Sequence, residues 1–357
     1  MKIGIFDPYL DDLGGGEKYM IAIAECLSKK HEVYVFWDNK KDIVKLLQRF
    51  PLDLSRVSVT KNIFAPGFGF LKRILESKKY DVIIALSDGS IPFLLSKKVF
   101  LHIQQPLDAI EKKKLKTRIK LSRIAGIFCN SEYTKSFNAG KFLKKTTVLY
   151  PPVDLYSNKT KKENIILHVG RFRVKNVTGI DDYKKQAVMI RAFKEMVDKG
   201  LRDWEFVLAV SIRENEKKQF EEMERLAHGY LVRFIINSPN NALGDIYSKA
   251  KIYWHASGFG ENLKEHPEFA EHFGISTVEA MGAGVVPVVI NAGGQREIVT
   301  DGKNGLLWNS IEELQSKTLE LVKNESLLHT LSEDAAKSAK KFSKERFCQE
   351  INALVLQ

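Results

Sequence analysis

Short, continuously apolar runs recur along this chain, separated by polar stretches of helical length. They occupy residues 2–6, 32–36, 56–60, 81–86, 99–102, 126–130 and 146–149. A second series follows at 165–169, 206–210, 232–236, 252–255 and 285–290. Strands that read as near-continuous apolar runs are buried on both faces, as in parallel sheets covered by helices. The sequence therefore predicts an α/β chain built by β-α repetition. Between the two series, Tyr150-Pro151-Pro152-Val153-Asp154 and the polar stretch 157–164 interrupt the pattern. A proline pair beside a polar stretch is a linker signal. At 357 residues, two domains are the natural division. The expected boundaries are a first domain over 1–152, a linker over 153–163, a second domain over 164–340 and an amphipathic last helix over 341–357.

Composition narrows the function classes. Apolar residues make up 44% of the chain, enough to fill two cores. No run reaches the ~18 apolar residues that a spanning helix needs. Met1-Lys2-Ile3-Gly4-Ile5-Phe6 reads as a first strand and is too short for a signal peptide. Cys26, Cys129 and Cys348 are isolated and odd in number. They predict no disulfide framework and no metal site, and fit a reducing cytoplasm. The net charge of +12 asks for an anionic partner. No aromatic-basic recognition motif and no zinc spacing is present, so nucleic acid is not the expected one. A phosphorylated substrate or an anionic membrane surface accounts for the charge. Residues 111–123, EKKKLKTRIKLSR, carry seven cations against one acid. Leu115 and Ile119 lie four apart, so the run reads either as a solvated face or as an interfacial amphipathic helix. That second reading would place the protein on the inner face of a membrane.

The second half centres on residues 269–298, FAEHFGISTVEAMGAGVVPVVINAGGQREI. Glu271 and Glu279 lie eight positions apart and enclose Phe273, Gly274, Ile275, Ser276 and Thr277. A helix is predicted over 276–283 and a buried strand over 285–290, and Gly293-Gly294 opens a further short helix. A helix N-terminus behind a glycine turn presents unpaired N–H groups and the positive end of the dipole, which suits a diphosphate. The flanking carboxylates suit hydroxyl groups on a ribose or a hexose. Together they point to a nucleotide-sugar. Ser276-x-x-Glu279 equally fits a capping box, with the Glu turned back to its own backbone, and spacing leaves both readings open. Upstream, a strand ends at Gly170-Arg171 and Lys184-Lys185 begins a helix predicted over 184–199. Two cations beside a helix N-terminus suit the same diphosphate.

The E-x7-E pattern around Phe273-Gly274-Ile275, followed by EAMGAGVVPVV, GGQREIV and DGKNG, resembles the donor-binding half of family 4 glycosyltransferases of the GT-B class. The form EHFGI resembles the branch of α-1,2-mannosyltransferases that extend lipid-linked oligosaccharides. The resemblance implies two Rossmann-like parallel-sheet domains facing a central cleft, with the last helix crossing back onto the first. It implies a retaining, metal-independent hexosyltransferase. Its donor would be a GDP- or UDP-linked sugar, its acceptor a glycan or a lipid-linked glycan, and it would use no separate cofactor. The chain has no Asp-x-Asp pair. In the resembled family an Arg and a Lys contact the donor diphosphate, and the Lys lies eight positions before an Ala-Phe pair. Ala192-Phe193 selects Lys184. The extra residues 176–182 between the two cations leave Lys185 as the alternative.

The same resemblance gives roles in the first half. Asp11-Asp12-Leu13-Gly14-Gly15-Gly16 follows the first strand and precedes a helix predicted over 17–29. On its own this is a tight turn or a phosphate loop, and it lacks the spacing of a dinucleotide fingerprint. By resemblance Gly15 and Gly16 face the donor. His102 closes its strand, where ligands gather in open α/β sheets, and by resemblance it lies near the reacting sugar. Glu271 would meet the transferring sugar and Glu279 the ribose. Residues 64–70, FAPGFGF, read as ordinary packing or as a loop touching lipid or acceptor. Residues 258–269 read as a lid or a surface loop. Two rivals stay open: a nucleotide-sugar epimerase or phosphorylase on the same fold, and a non-catalytic nucleotide-sugar or polyanion binder.

Overall fold

The computed structural model describes residues 1–12, 14–107, 115–142, 146–156, 160–174, 182–238 and 240–356. The chain forms two compact units, Met1–Pro152 with Lys344–Gln357, and Val153–Ser343. Residues 153–163 thus belong to the second unit, where the Val153 N–H donates to the Phe342 carbonyl. Residues 157–159 lie outside the described residues, as do Leu13 and most of the 176–182 insertion.

The first unit runs β1 (Lys2–Phe6), α1 (Gly15–Ser28), β2 (Glu32–Phe36), α2 (Lys40–Arg49), β3 (Val57–Thr60), α3 (Phe70–Ser77), β4 (Val82–Leu86) and β5 (Lys98–Ile103). It continues through α4 (Leu115–Ser122), β6 (Ile124–Cys129), α5 (Glu132–Asn138) and β7 (Thr146–Val148). The sheet order is β3-β2-β1-β4-β5-β6-β7, every described pair parallel. The second unit runs β8 (Ile165–Arg171), α6 (Gln186–Asp198), β9 (Glu205–Ser211), α7 (Lys217–Ala227), β10 (Val232–Ile236), α8 (Asn240–Lys249) and β11 (Ile252–His255). Then come α9 (Ile275–Gly282), β12 (Val286–Ile290), α10 (Gln295–Ile298), β13 (Leu306–Trp308), α11 (Ile311–Lys323) and α12 (Glu325–Ala339). Its order is β10-β9-β8-β11-β12-β13, again parallel. These are two Rossmann-like units of seven and six strands.

Strand interiors match the apolar runs because both faces are covered. All five residues of β4 and of β12 are buried. The last helix, α13 (Lys344–Leu356), belongs to the first unit. Phe347, Ile351 and Val355 are its buried stripe, at i, i+4, i+8. Lys344 pairs with Glu25 of α1 at 2.6 Å. One expectation is overturned here: Cys26 of α1 and Cys348 of α13 form a disulfide across 322 residues of sequence. Spacing could not show this pair, because only the return of α13 onto α1 brings the two together. The case for a reducing compartment drawn from isolated cysteines loses that support. Cys129 is free and buried, and burial pushes its thiol up to about 12. No described helix is long and apolar enough to cross a membrane.

Candidate functional site

In an open parallel sheet, ligands bind beyond the strand C-termini where the strand order reverses. In the second unit this point lies between β8 and β11. The two strands pair only at Ile252↔Ile166 and Tyr253↔Leu167 and then part. His168 bridges the gap, its Nδ1 lying 3.0 Å from the Trp254 carbonyl. A carbonyl only accepts, so Nδ1 carries the proton. The strand ends deliver Arg171 from β8 and His255 from β11.

Glu271 is the hub of the site. Its Oε2 accepts from Lys184 Nζ at 2.6 Å and from His255 Nε2 at 2.9 Å. Burial alone would raise its pKa, but the Lys184 charge and the His255 hydrogen bond outweigh that and hold the carboxyl well below the usual range. His255 is 1% exposed, and burial keeps its pKa below the ordinary value. The ring is therefore neutral near pH 7, with its proton on Nε2 facing Glu271. Its Nδ1 has no hydrogen-bond partner among the described residues. The Glu271 backbone is fixed as well, since its carbonyl accepts from the Gly294 N–H at 2.7 Å. A Cβ on Gly294 would sit 2.6 Å from the His272 carbonyl and the Phe273 backbone. Glycine is needed there for close approach, so Gly293-Gly294 buttresses the 271–273 segment.

Helix α9 starts at Ile275 behind Gly274, whose φ is +115°. No side chain caps it, leaving its first N–H groups to an anion. Ser276 is thus inside the first turn and is not the N-cap. Its Oγ pairs with Tyr253 Oη at 2.7 Å, and Glu279 Oε2 accepts from Tyr247 Oη at 3.1 Å. The capping-box reading of Ser276 and Glu279 is excluded by this register. Thr277 is buried. Phe273 is a core residue, packed edge-on against Phe342 at 5.2 Å between ring centres, so only its backbone can face a donor.

The two lysines have separate partners. Helix α6 begins at Gln186, two residues later than expected, because Lys185 takes a left-handed φ of +58°. Asp182 caps the start, accepting from the N–H groups of Lys184 and Gln186 at 2.8 Å each. Lys184 reaches Glu271, whereas Lys185 Nζ lies 2.6 Å from Glu261 in the 258–269 segment. Arg171 ends β8 with its side chain exposed. His255, Tyr247, Tyr253, Asp182 and Glu261 were not singled out from sequence. His255 could have been, by the strand-end argument applied to His102.

In the first unit the order reverses between β1 and β4. The Tyr9 hydroxyl spans their loops, donating to Asp88 at 3.0 Å. Gly15 and Gly16 form the first turn of α1. Gly16 meets Gln104, whose Nε2 donates to the Gly16 carbonyl at 3.1 Å. A Cβ on Gly16 would fall 2.2 Å from Gln104 Oε1. His102, expected near the reacting sugar, lies in the interior of the first unit. Its side chain is 0% exposed, stacked between Tyr19 and Phe128 at 4.2 and 4.7 Å, with Nδ1 on the Phe128 carbonyl at 3.1 Å. Burial drives its pKa to about 3. Strand alternation turns position 102 inward under α1, where the ring stacks on Tyr19, and its Nε2 has no hydrogen-bond partner among the described residues.

Asp7 follows β1 and is also 0% exposed. Oδ1 accepts from the Tyr9 N–H at 2.8 Å, while Oδ2 has no partner among the described residues. Burial first, then repulsion from Glu17, raises its pKa to about 7. The folded state therefore holds a proton, between about pH 4 and 7, that the unfolded chain has released. That contribution is complete below about pH 4 and is lost as pH rises through 7. Asp7→Asn should accordingly stabilise the protein at pH 8, by up to ~4 kcal/mol, and change little at pH 4. Thermal melts across pH 4–8 check this; equal effects at both ends would refute it.

Known proteins resemble this chain in sequence and in fold. The chain is 26% identical over 220 residues to the GDP-Man:Man(3)GlcNAc(2)-PP-Dol alpha-1,2-mannosyltransferase of Dictyostelium discoideum, covering 56% of this chain and 40% of that protein. The chain thus spans about two fifths of the length of such relatives. It is 24% identical over 351 residues to a Campylobacter jejuni enzyme, a GalNAc-alpha-(1->4)-GalNAc-alpha-(1->3)-diNAcBac-PP-undecaprenol alpha-1,4-N-acetyl-D-galactosaminyltransferase. That match covers 91% of this chain and 89% of the enzyme. The crystal structure of Anabaena Alr3699/HepE in complex with UDP and glucose superposes with a TM-score of 0.71 over 99% of both chains, at 20% identity. It shares the fold, which is GT-B. The profile of the family described as Glycosyl transferases group 1 matches residues 156–338, from before β8 into the last turn of α12. More than half of the chain is matched, and the chain belongs to the group 1 glycosyl transferases.

Proposed function

We propose that this protein transfers a hexose from a nucleoside-diphosphate sugar to a glycan or lipid-linked acceptor, with retention at the anomeric carbon and without a metal ion. The observation that carries the reading is the convergence of Lys184, Glu271 and His255 at the switch point beside the uncapped α9 N-terminus. Bond breaking leaves negative charge on the diphosphate and positive charge on the sugar ring. The α9 N–H groups, Lys184 and Arg171 would meet the first, and the Glu271 carboxylate the second. Glu279 would take the ribose hydroxyls, held in place by Tyr247. Mannose is the favoured sugar, because several of the relatives carry GDP-Man in their names.

The test is transfer from labelled GDP-mannose and UDP-glucose to lipid-linked glycan acceptors, with and without EDTA. An α-linked product from an α-linked donor, formed equally in EDTA, is the expected result. An inverted product, or a loss in EDTA restored by Mg2+, would overturn the corresponding part of the reading. Donor epimerised with no acceptor present would replace transfer as the reaction.

A further inference from the structure

Helices α3 and α4 are both docked on one short strap between β4 and β5. The Ser77 Oγ of α3 accepts from the Leu95 N–H at 2.9 Å, and the Phe70 ring lies 6.4 Å from Phe93. Arg123, directly after α4, donates to the carbonyls of Leu94 at 3.4 Å and Ser96 at 3.0 Å. The inner faces are thereby accounted for, Ser77 on α3 and Leu121 on α4 being buried.

The outer faces are apolar. Phe70, Leu71 and Leu75 are 58%, 75% and 62% exposed, and Leu115 and Ile119 are 71% and 48% exposed. Leu71 and Leu75 are four apart, as are Leu115 and Ile119, so each pair forms a stripe. Two helices of eight residues each carry five of the fourteen exposed large hydrophobic residues described. Scattered exposed apolar residues need no explanation, but such a concentration marks an interaction surface. The surroundings are cationic. Residues 61–79 hold five Lys or Arg and one acid, and residues 115–123 hold four and none. That single acid, Glu76, is paired with Lys79 at 2.8 Å.

We infer that α3 and α4 together form a docking surface for an anionic lipid bilayer. Apolar stripes rimmed by Lys and Arg suit the boundary between acyl chains and anionic headgroups. A second copy of this chain would set cations against cations. A nucleic acid would leave the leucines without apolar contact. Neither helix can span a membrane, so the contact is interfacial. Residues 108–114 lie outside the described residues and are not needed. The inference is independent of the sugar-transfer reading, because its test reads lipid and not donor.

The full-length protein is sedimented with phosphatidylcholine vesicles and with vesicles containing phosphatidylglycerol, at two salt concentrations. Pelleting with the anionic vesicles, weakened by salt, is expected. At about 1 kcal/mol for each cation near the surface, Lys116→Glu/Lys120→Glu should weaken it by roughly 30-fold or more. Leu71→Ser/Leu75→Ser and Leu115→Ser/Ile119→Ser should each weaken it by about tenfold. All six positions are solvent-facing or half-buried, and circular dichroism verifies the fold of each variant. Equal binding to neutral vesicles, or no binding at low salt, would overturn the inference. So would undiminished binding in the α3 variant, or self-association that the leucine variants abolish in the absence of lipid.

Discussion

Glu271→Gln is expected to lower kcat by about 100-fold while moving the donor KM little. The carboxylate makes two charge-assisted hydrogen bonds, to Lys184 at 2.6 Å and to His255 at 2.9 Å. Bonds of this kind contribute roughly 1.5–3 kcal/mol each. An amide accepts on one oxygen only and carries no charge, so it cannot balance Lys184 or oppose positive charge on the departing sugar. An interaction that strengthens as that charge develops counts in the transition state more than in the ground state, which is why the loss falls on kcat. Glu279→Gln makes the contrast. It keeps an acceptor for the Tyr247 hydroxyl but loses the charge facing a ribose, so the donor KM should rise about tenfold with kcat nearly kept. Initial-rate kinetics over donor concentration separate the two. A Glu271→Gln kcat within threefold of wild type would remove Glu271 from the reacting centre. An unaltered Glu279→Gln would leave the ribose without a named partner.

Lys184→Ala should cost about 10- to 100-fold in donor affinity, the effect of one charge-assisted contact to a diphosphate. It should also disturb Glu271. With Lys184 gone, the largest influence holding that carboxyl low is lost, and the acidic limb of the pH–rate profile should move upward. Lys185→Ala should behave differently. That ammonium lies on Glu261 at 2.6 Å and is only 7% exposed, so its loss leaves a carboxylate short of a partner and lowers the melting temperature more than the donor affinity. Calorimetric titration with a nucleoside diphosphate and thermal melts of both variants provide the check. A larger loss of nucleotide affinity in Lys185→Ala than in Lys184→Ala would reverse the assignment.

The strands were legible in the sequence because burial on both faces leaves an apolar run with no helical period. All five residues of Val82–Leu86 and of Val286–Ile290 are buried, as in a parallel strand covered on both faces. The E-x7-E stretch was legible for a second reason: its residues are neighbours along the chain, so helix and turn rules act on them directly. Helix α3 was not legible. Its apolar residues face outward, so no burial pattern marks them as packing.

What tertiary structure decided are the contacts between residues far apart in sequence. Lys184 and Glu271 are 87 positions apart, and Cys26 and Cys348 are 322 apart. Only the folding of intervening elements sets such distances. His102 and His255 make the point together. His255 ends β11 and His102 stands one residue before the end of β5, so the two looked alike in the sequence. Strand register turns His102 under α1 between two aromatic rings. The parting of β8 and β11 after Tyr253 opens a space in which His255 reaches Glu271. One-residue alternation in a strand decides which face a side chain takes, and the sheet order decides whether that face is core or ligand crevice. The first can be read from a sequence; the second exists only once the strands have been placed side by side.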